Sequence, residues 1–177
     1  MQRMEQQRPP GIGRIATKYG LILGVLLFLL FLAGALTGIN QGWALPTVNA
    51  VLLIVLMVLA HREFKRTHEG AMRYPQGLGS GTLLAIVATV IQCALSYVFI
   101  KYINAGYLAA VMQAQRAALE QRGLSGAQLQ QAMAFTSAMM TPVGFVVAGL
   151  ITGVILGFIV ALIVSIFTHV DDPRAVI

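Results

Sequence analysis

The sequence predicts an all-α integral membrane protein: four transmembrane helices, with an amphipathic helical hairpin between the third and the fourth. Three observations lead there. Of 177 residues, 58% are hydrophobic and 10% charged, whereas a soluble domain carries about a quarter charged residues. The charges are also gathered: none occurs between Lys18 and Arg62, between Arg73 and Lys101, or between Arg122 and Asp171. Spanning hydrocarbon takes roughly 20 mostly apolar residues, and these gaps hold two, one and one such segments. Finally, runs such as "LILGVLLFLLFLAGAL" do not alternate polar with apolar, as the strands of a membrane barrel would.

In chain order, residues 1–18 form a basic tail and residues 19–102 hold helices one to three, at 19–39, 44–60 and 81–102. Residues 103–141 form the hairpin, 142–168 helix four, and 169–177 a second tail. The "AGA" at Ala33, Gly34 and Ala35 resembles a signal-peptide cleavage site, but the apolar run before it exceeds the 7–15 residues typical of a signal core. Helix one is therefore read as a span. In the hairpin, "NAGYLAAVMQAQRAALEQRG" sets Leu108, Val111, Met112 and Leu119 at helical spacing, opposite Gln113, Arg116 and Glu120. Gly123 suits the end of that helix. Ser125 and Gln128 read as a capping box opening the next, with Leu124 and Leu129 as its hydrophobic staple. Thr141-Pro142 then starts helix four, proline being favoured at a first helical position. The two amphipathic helices are expected along the membrane surface or across the bundle mouth.

Charge fixes an orientation. Arg3, Arg8, Arg14 and Lys18 precede helix one, and Arg62, Lys65, Arg66 and Arg73 separate helices two and three. The positive-inside rule puts both termini of a multi-pass protein in the cytoplasm, and the hairpin outside. Arg14, Lys18, Arg62, Lys65, Arg66 and Arg73 would form a collar toward anionic lipid head groups. The net charge of +6 is a topology signal, so the partner is the lipid bilayer and not nucleic acid.

"GLITGVILG" places Gly149, Gly153 and Gly157 four residues apart. Glycine costs a soluble helix up to about 1 kcal/mol relative to alanine. In lipid, small residues at every fourth position instead let helix backbones approach closely. Helix one carries shorter versions, Gly20 with Gly24 and Gly34 with Gly38. This glycine zipper serves packing within the chain, self-association, or docking in a larger membrane complex equally well.

Helix three has a polar stripe: Ala85, Thr89, Gln92, Cys93 and Ser96 share one face. An unsatisfied amide within the membrane is expensive, so Gln92 should have a partner, and Asn49 on helix two is the candidate by type. The stripe is either a set of hydrogen bonds between helices or the lining of a small polar path. No Asp, Glu, Lys, Arg or His lies in the core of a helix, which weighs against ion- or proton-coupled transport.

Little chemistry is legible. His61, His68 and His169 read as solvated residues at the membrane edge. Two helical turns, roughly 10 Å, separate the first two, too far to share a metal. Cys93 is the single cysteine, excluding a Cys-rich metal site. The glycines of "GIG" (Gly11 to Gly13) and "GLGSG" (Gly77 to Gly81) read as loop residues without the lysine and hydroxyl of a phosphate loop. Neither a catalytic residue, a metal nor a cofactor is expected.

The stretches "YPQGLGSGTLLAIVATVIQCALSYVFIKYINAGYL", "LEQRGLSGAQLQQAM" and "TPVGF" resemble bacterial membrane proteins grouped as the domain-of-unknown-function 4199 family. The resemblance covers about residues 15–168. The marks kept here are Gly77, Gly81, Ile103, Asn104 and Gly123; the departures are Gly126 and Ala127, where the family more often has acidic residues. It implies the fold and a location in a bacterial inner membrane, and no activity. The sequence therefore points to a non-enzymatic scaffold or accessory subunit acting through helix association, the alternative being a small uncoupled permease or channel using the polar stripe.

Overall fold

A computed structural model describes residues 11–37, 44–67 and 72–169; Gly38, His68 and most of both tails lie outside them. The elements are α1 (Ile12–Thr37), α2 (Ala44–Thr67), α3 (Tyr74–Val98), α4 (Tyr107–Gln121), α5 (Gly126–Met139) and α6 (Pro142–Thr168). Four stretches are long and apolar enough to cross a membrane: Ile12–Thr37, Leu45–Thr67, Tyr74–Ile103 and Pro142–Thr168. The all-helical class and the four spans follow the sequence reading, and α6 has the expected limits.

The other spans run past the limits set by charge. α1 begins at Ile12 and so includes Arg14 and Lys18, while α2 continues to Thr67 through Arg62, Lys65 and Arg66. A charge need not end a membrane helix, because long basic side chains carry their heads out to the interface. α3 begins at Tyr74, with Pro75 in its first turn and the Arg73 N–H donating to Gln76 Oε1 at 3.0 Å. Gly77, Gly79 and Gly81 are thus helical and not loop residues, as is Gly13 in α1. Tight packing uses two of them. A Cβ on Gly77 would lie 3.2 Å from Ser165 Oγ, and one on Gly81 3.0 Å from both the Ala161 Cβ and the Met57 sulfur.

α3 is the central helix, packed on one side by α1 and on the other by α6, and α2 fills the remaining side against α1 and α6. One apolar cluster joins α1, α2 and α3 around Leu23, Leu56, Phe64 and Leu84. A second joins α2 to α6 through Met57, Ala161 and Val164. We call the end where α1 starts and α6 stops the basal end, and the opposite one the hairpin end.

At the hairpin end α3 widens into a π-helical turn, Phe99–Ile103, closed by the Asn104 N–H on Phe99 O at 2.8 Å. The first turn of α4 folds back over the bundle mouth, burying Tyr107 and Leu108 against Phe99 and Ile100. Phe31 sits among these rings, edge-on to Tyr107 at 5.3 Å and to Phe99 at 5.8 Å. Burial raises the Tyr107 phenol above its ordinary range, so this plug stays neutral at physiological pH.

α4 ends on Gly123 (φ +85°), with the Leu124 N–H reaching Leu119 O and the Gly123 N–H reaching Glu120 O. That is a Schellman closure, and the left-handed backbone requires the glycine. The capping box on α5 is not formed. Ser125 holds the N-cap position in extended backbone, but its side chain makes no cap hydrogen bond, and Gly126 next to it takes φ +56°. The reversal is made by glycine and not by the serine hydroxyl. The cap that does form is at α6, where Thr141 Oγ1 accepts from the Gly144 N–H at 3.0 Å.

Candidate functional site

The glycines of α6 lie on α3. A Cβ built on Gly149 would stand 3.3 Å from Cys93 Sγ, one on Gly153 2.6 Å from Thr89 Cγ2, and one on Gly157 would meet the Ala85 Cβ. Ala85, Thr89 and Cys93 are themselves four apart, so two faces of four-residue period run against each other. The same helix is approached from behind: a Cβ on Gly20 would lie 2.9 Å from Leu84 O, and one on Gly24 2.7 Å from Ala88 O. At these positions the glycine meets backbone, the geometry in which Cα–H···O contacts form. Gly34 is buried on α1.

This close approach does not extend to α2 at the hairpin end. Between α2 and the other three spans lies a cavity of about 300 Å³. Leu23 and Leu27 of α1, Pro46, Asn49 and Leu53 of α2, Ala85, Thr89 and Gln92 of α3, and Gly153, Leu156 and Val160 of α6 line it. The wall is mainly apolar, with one hydroxyl and two amides. Pro46, Ala50 and Leu156 are lining residues that are also exposed, and they flank the gap between α2 and α6. Below it, the Met57–Ala161–Val164 cluster closes α2 onto α6.

The polar stripe therefore divides. Thr89 and Gln92 reach the cavity, Cys93 turns to α6 with Sγ 3.8 Å from Val146 O, and Ser96 is buried away from it. The expected pairing of Gln92 with Asn49 does not occur: among the described residues no hydrogen bond joins them, and Asn49 Oδ1 is enclosed without a partner. An amide in this position ordinarily has one, in the chain or outside it. Sequence placed both amides in the bundle, but whether they meet depends on how far α2 stands off from α3.

At the basal end a residue read as solvated is buried. His61 is 1% exposed. Its Nδ1 lies 2.7 Å from Thr168 Oγ1 on α6, and its Nε2 lies 3.1 Å from Gly77 O on α3. Since a carbonyl only accepts, Nε2 carries a proton and donates; Gly77 O also accepts from Ser80 Oγ at 2.9 Å. One imidazole thus ties α2, α3 and α6 together. No local pattern in the sequence marks it, because its partners stand 16 and 107 residues away. His169 is exposed and edge-on to the Tyr74 ring.

The basic residues gather at the same end. Arg14, Arg62, Arg66 and Arg73 are exposed and Lys65 is half-buried. Lys18 does not simply face head groups: its Nζ lies 2.9 Å from both Glu63 oxygens, and the Tyr19 hydroxyl donates to Glu63 Oε2 at 2.7 Å. These bonds join α1 to α2.

Fold and composition together define a multi-pass membrane protein, a four-helix bundle with a helical cap over one mouth. The family model described as "Protein of unknown function (DUF4199)" matches residues 18–169, and the chain belongs to that family. No curated protein and no solved structure matches it.

Proposed function

We propose that this chain is a non-enzymatic membrane protein whose bundle holds a small neutral molecule in the cavity between α2 and the other spans. The observation that carries the reading is Asn49 Oδ1, buried without a hydrogen-bond partner on a residue that lines the cavity together with Thr89 and Gln92. A buried amide without a partner costs roughly 1–3 kcal/mol, and a hydrogen-bonding guest removes that cost. Among the described residues no ionisable group lines the cavity, so the guest is uncharged and its binding is not coupled to ions. The closed α2–α6 contact below the cavity favours a binding site over an open channel.

The other reading is an accessory subunit held in a larger complex, or a self-associating scaffold. Its support is narrower, because Gly20, Gly24, Gly153 and Gly157 face α3 of the same chain. The surface left for it is the hairpin, where Gln113, Arg116 and Glu120 stand exposed. In either case we place the protein in a bacterial inner membrane, and the basic residues at the basal end favour an orientation with both termini cytoplasmic.

The test is the mass of the full chain released from gentle detergent. The wild type should carry an additional uncharged mass, and Asn49→Leu with Gln92→Leu should lose it while keeping the helical content. A bare chain in every wild-type preparation would overturn the proposal.

A further inference from the structure

A second hollow lies on the same seam. Below the cavity, on the outer side of the Met57–Ala161–Val164 contact, Ile54, Val58, Val160, Ile163, Val164 and Phe167, with Thr168 at its end, line an apolar groove of about 200 Å³ along α2 and α6. Val160 borders both spaces. Ile54, Ile163 and Phe167 are exposed by 42%, 51% and 82%, so the groove is open along a face that the spans turn toward lipid.

Resting on the reading above, we propose that the guest is a single-chain neutral lipid, such as a monoacylglycerol. Its hydroxylated head occupies the cavity, and its hydrocarbon chain lies in the groove toward the basal end. Three features fit this chemistry. Asn49, Thr89 and Gln92 offer both donors and acceptors, which suits a head carrying hydroxyl and carbonyl groups. Among the described residues neither space has an ionisable wall, which excludes a carboxylate or phosphate head, since burying an unpaired charge is prohibitive. The path from Gly153 to Phe167 along α6 is about 21 Å at 1.5 Å per residue, long enough for one acyl chain, and a groove of about 200 Å³ does not hold two. Entry is lateral, through the gap flanked by Pro46, Ala50 and Leu156.

The experiment uses the full chain in phosphatidylcholine nanodiscs and a monoacylglycerol bearing a diazirine in mid-chain. Photolysis should label residues 54–58 and 160–167, and excess unlabelled monoacylglycerol should suppress the label. Val160→Trp blocks the junction and should lower labelling about tenfold, the loss given by ~1.4 kcal/mol of binding. If that variant does not fold, Ile163→Trp at the groove mouth gives the same reading. Asn49→Leu with Gln92→Leu should also reduce it. Label spread evenly over every lipid-facing helix, or equal labelling by the corresponding fatty acid, would overturn the lipid proposal. A retained uncharged mass that is a small solute without a chain would overturn it while leaving the cavity reading intact. Absence of both label and retained mass would end both.

Discussion

His61 shows how much one side chain decides at the end of a membrane bundle. Both ring nitrogens are engaged, with partners on two other helices. Replacing it by leucine removes two hydrogen bonds, each worth about 0.5–1.5 kcal/mol net, although Gly77 O keeps Ser80 and Thr168 keeps Val164 O as partners. His61→Leu should therefore lower the melting temperature in detergent, and His61→Gln, which keeps a donor and an acceptor, should restore part of it. Equal melting of the two variants would mean that the ring contributes only volume. A similar comparison separates the two helix starts beyond the hairpin turn. Thr141→Ala removes a formed cap and should cost about 0.5–2 kcal/mol. Ser125→Ala, which removes none, should leave amide-exchange protection of α5 unchanged.

Helix against helix, the glycine contacts make a sharper forecast than a single substitution does. Gly157 meets a side chain, Ala85 Cβ, whereas Gly24 meets a carbonyl, Ala88 O. Overpacking of this kind costs typically about 1–3 kcal/mol. Gly157→Ala should destabilise the protein, and Ala85→Gly in the same chain should recover most of the loss. Gly24→Ala should not be recovered by Ala88→Gly, because the obstruction is backbone. Additive losses in the first pair would show that α3 and α6 do not meet there. Gaps between charges located the four spans, because that rule reads the solvent of each segment. Those gaps missed the ends of α1 and α2, where Arg14, Lys18 and Arg66 remain helical, and the start of α3 was missed because Gly77 and Gly79, read as loop residues, are helical. Thr168 stands 107 residues from His61, a separation at which no periodicity gives contact. Gly149, Gly153 and Gly157 were visible as a seam, but their mate was fixed only when the Ala85, Thr89 and Cys93 repeat came into register with them.

For the whole molecule, the distribution of charge and the cap over one mouth make topology testable. With Cys93→Ser as background, a cysteine at Gln113 should react with an impermeant thiol reagent added to intact cells, and one at Arg66 should react only after permeabilisation. The reverse pattern would invert the orientation. The native thiol is buried and the serine fits its place, so the background should fold.

The central position of α3 has a consequence for how the chain is made. Ribosomes deliver α1, α2 and α3 first, so the α1–α3 face can close while α6 is still unsynthesised. The Ala85, Thr89 and Cys93 face must then wait in lipid, which holds its small side chains without penalty but also without specificity. The final helix completes the bundle by docking against a surface already formed, and it brings with it the Thr168 hydroxyl that His61 requires. Biogenesis thus resembles the joining of two parts, and the exposed turn at Gly123 lies between them. Chains ending at residue 124 and beginning at residue 125, expressed separately in one cell, should find each other in the membrane and co-purify. Gly157→Ala in the shorter piece should weaken that pairing.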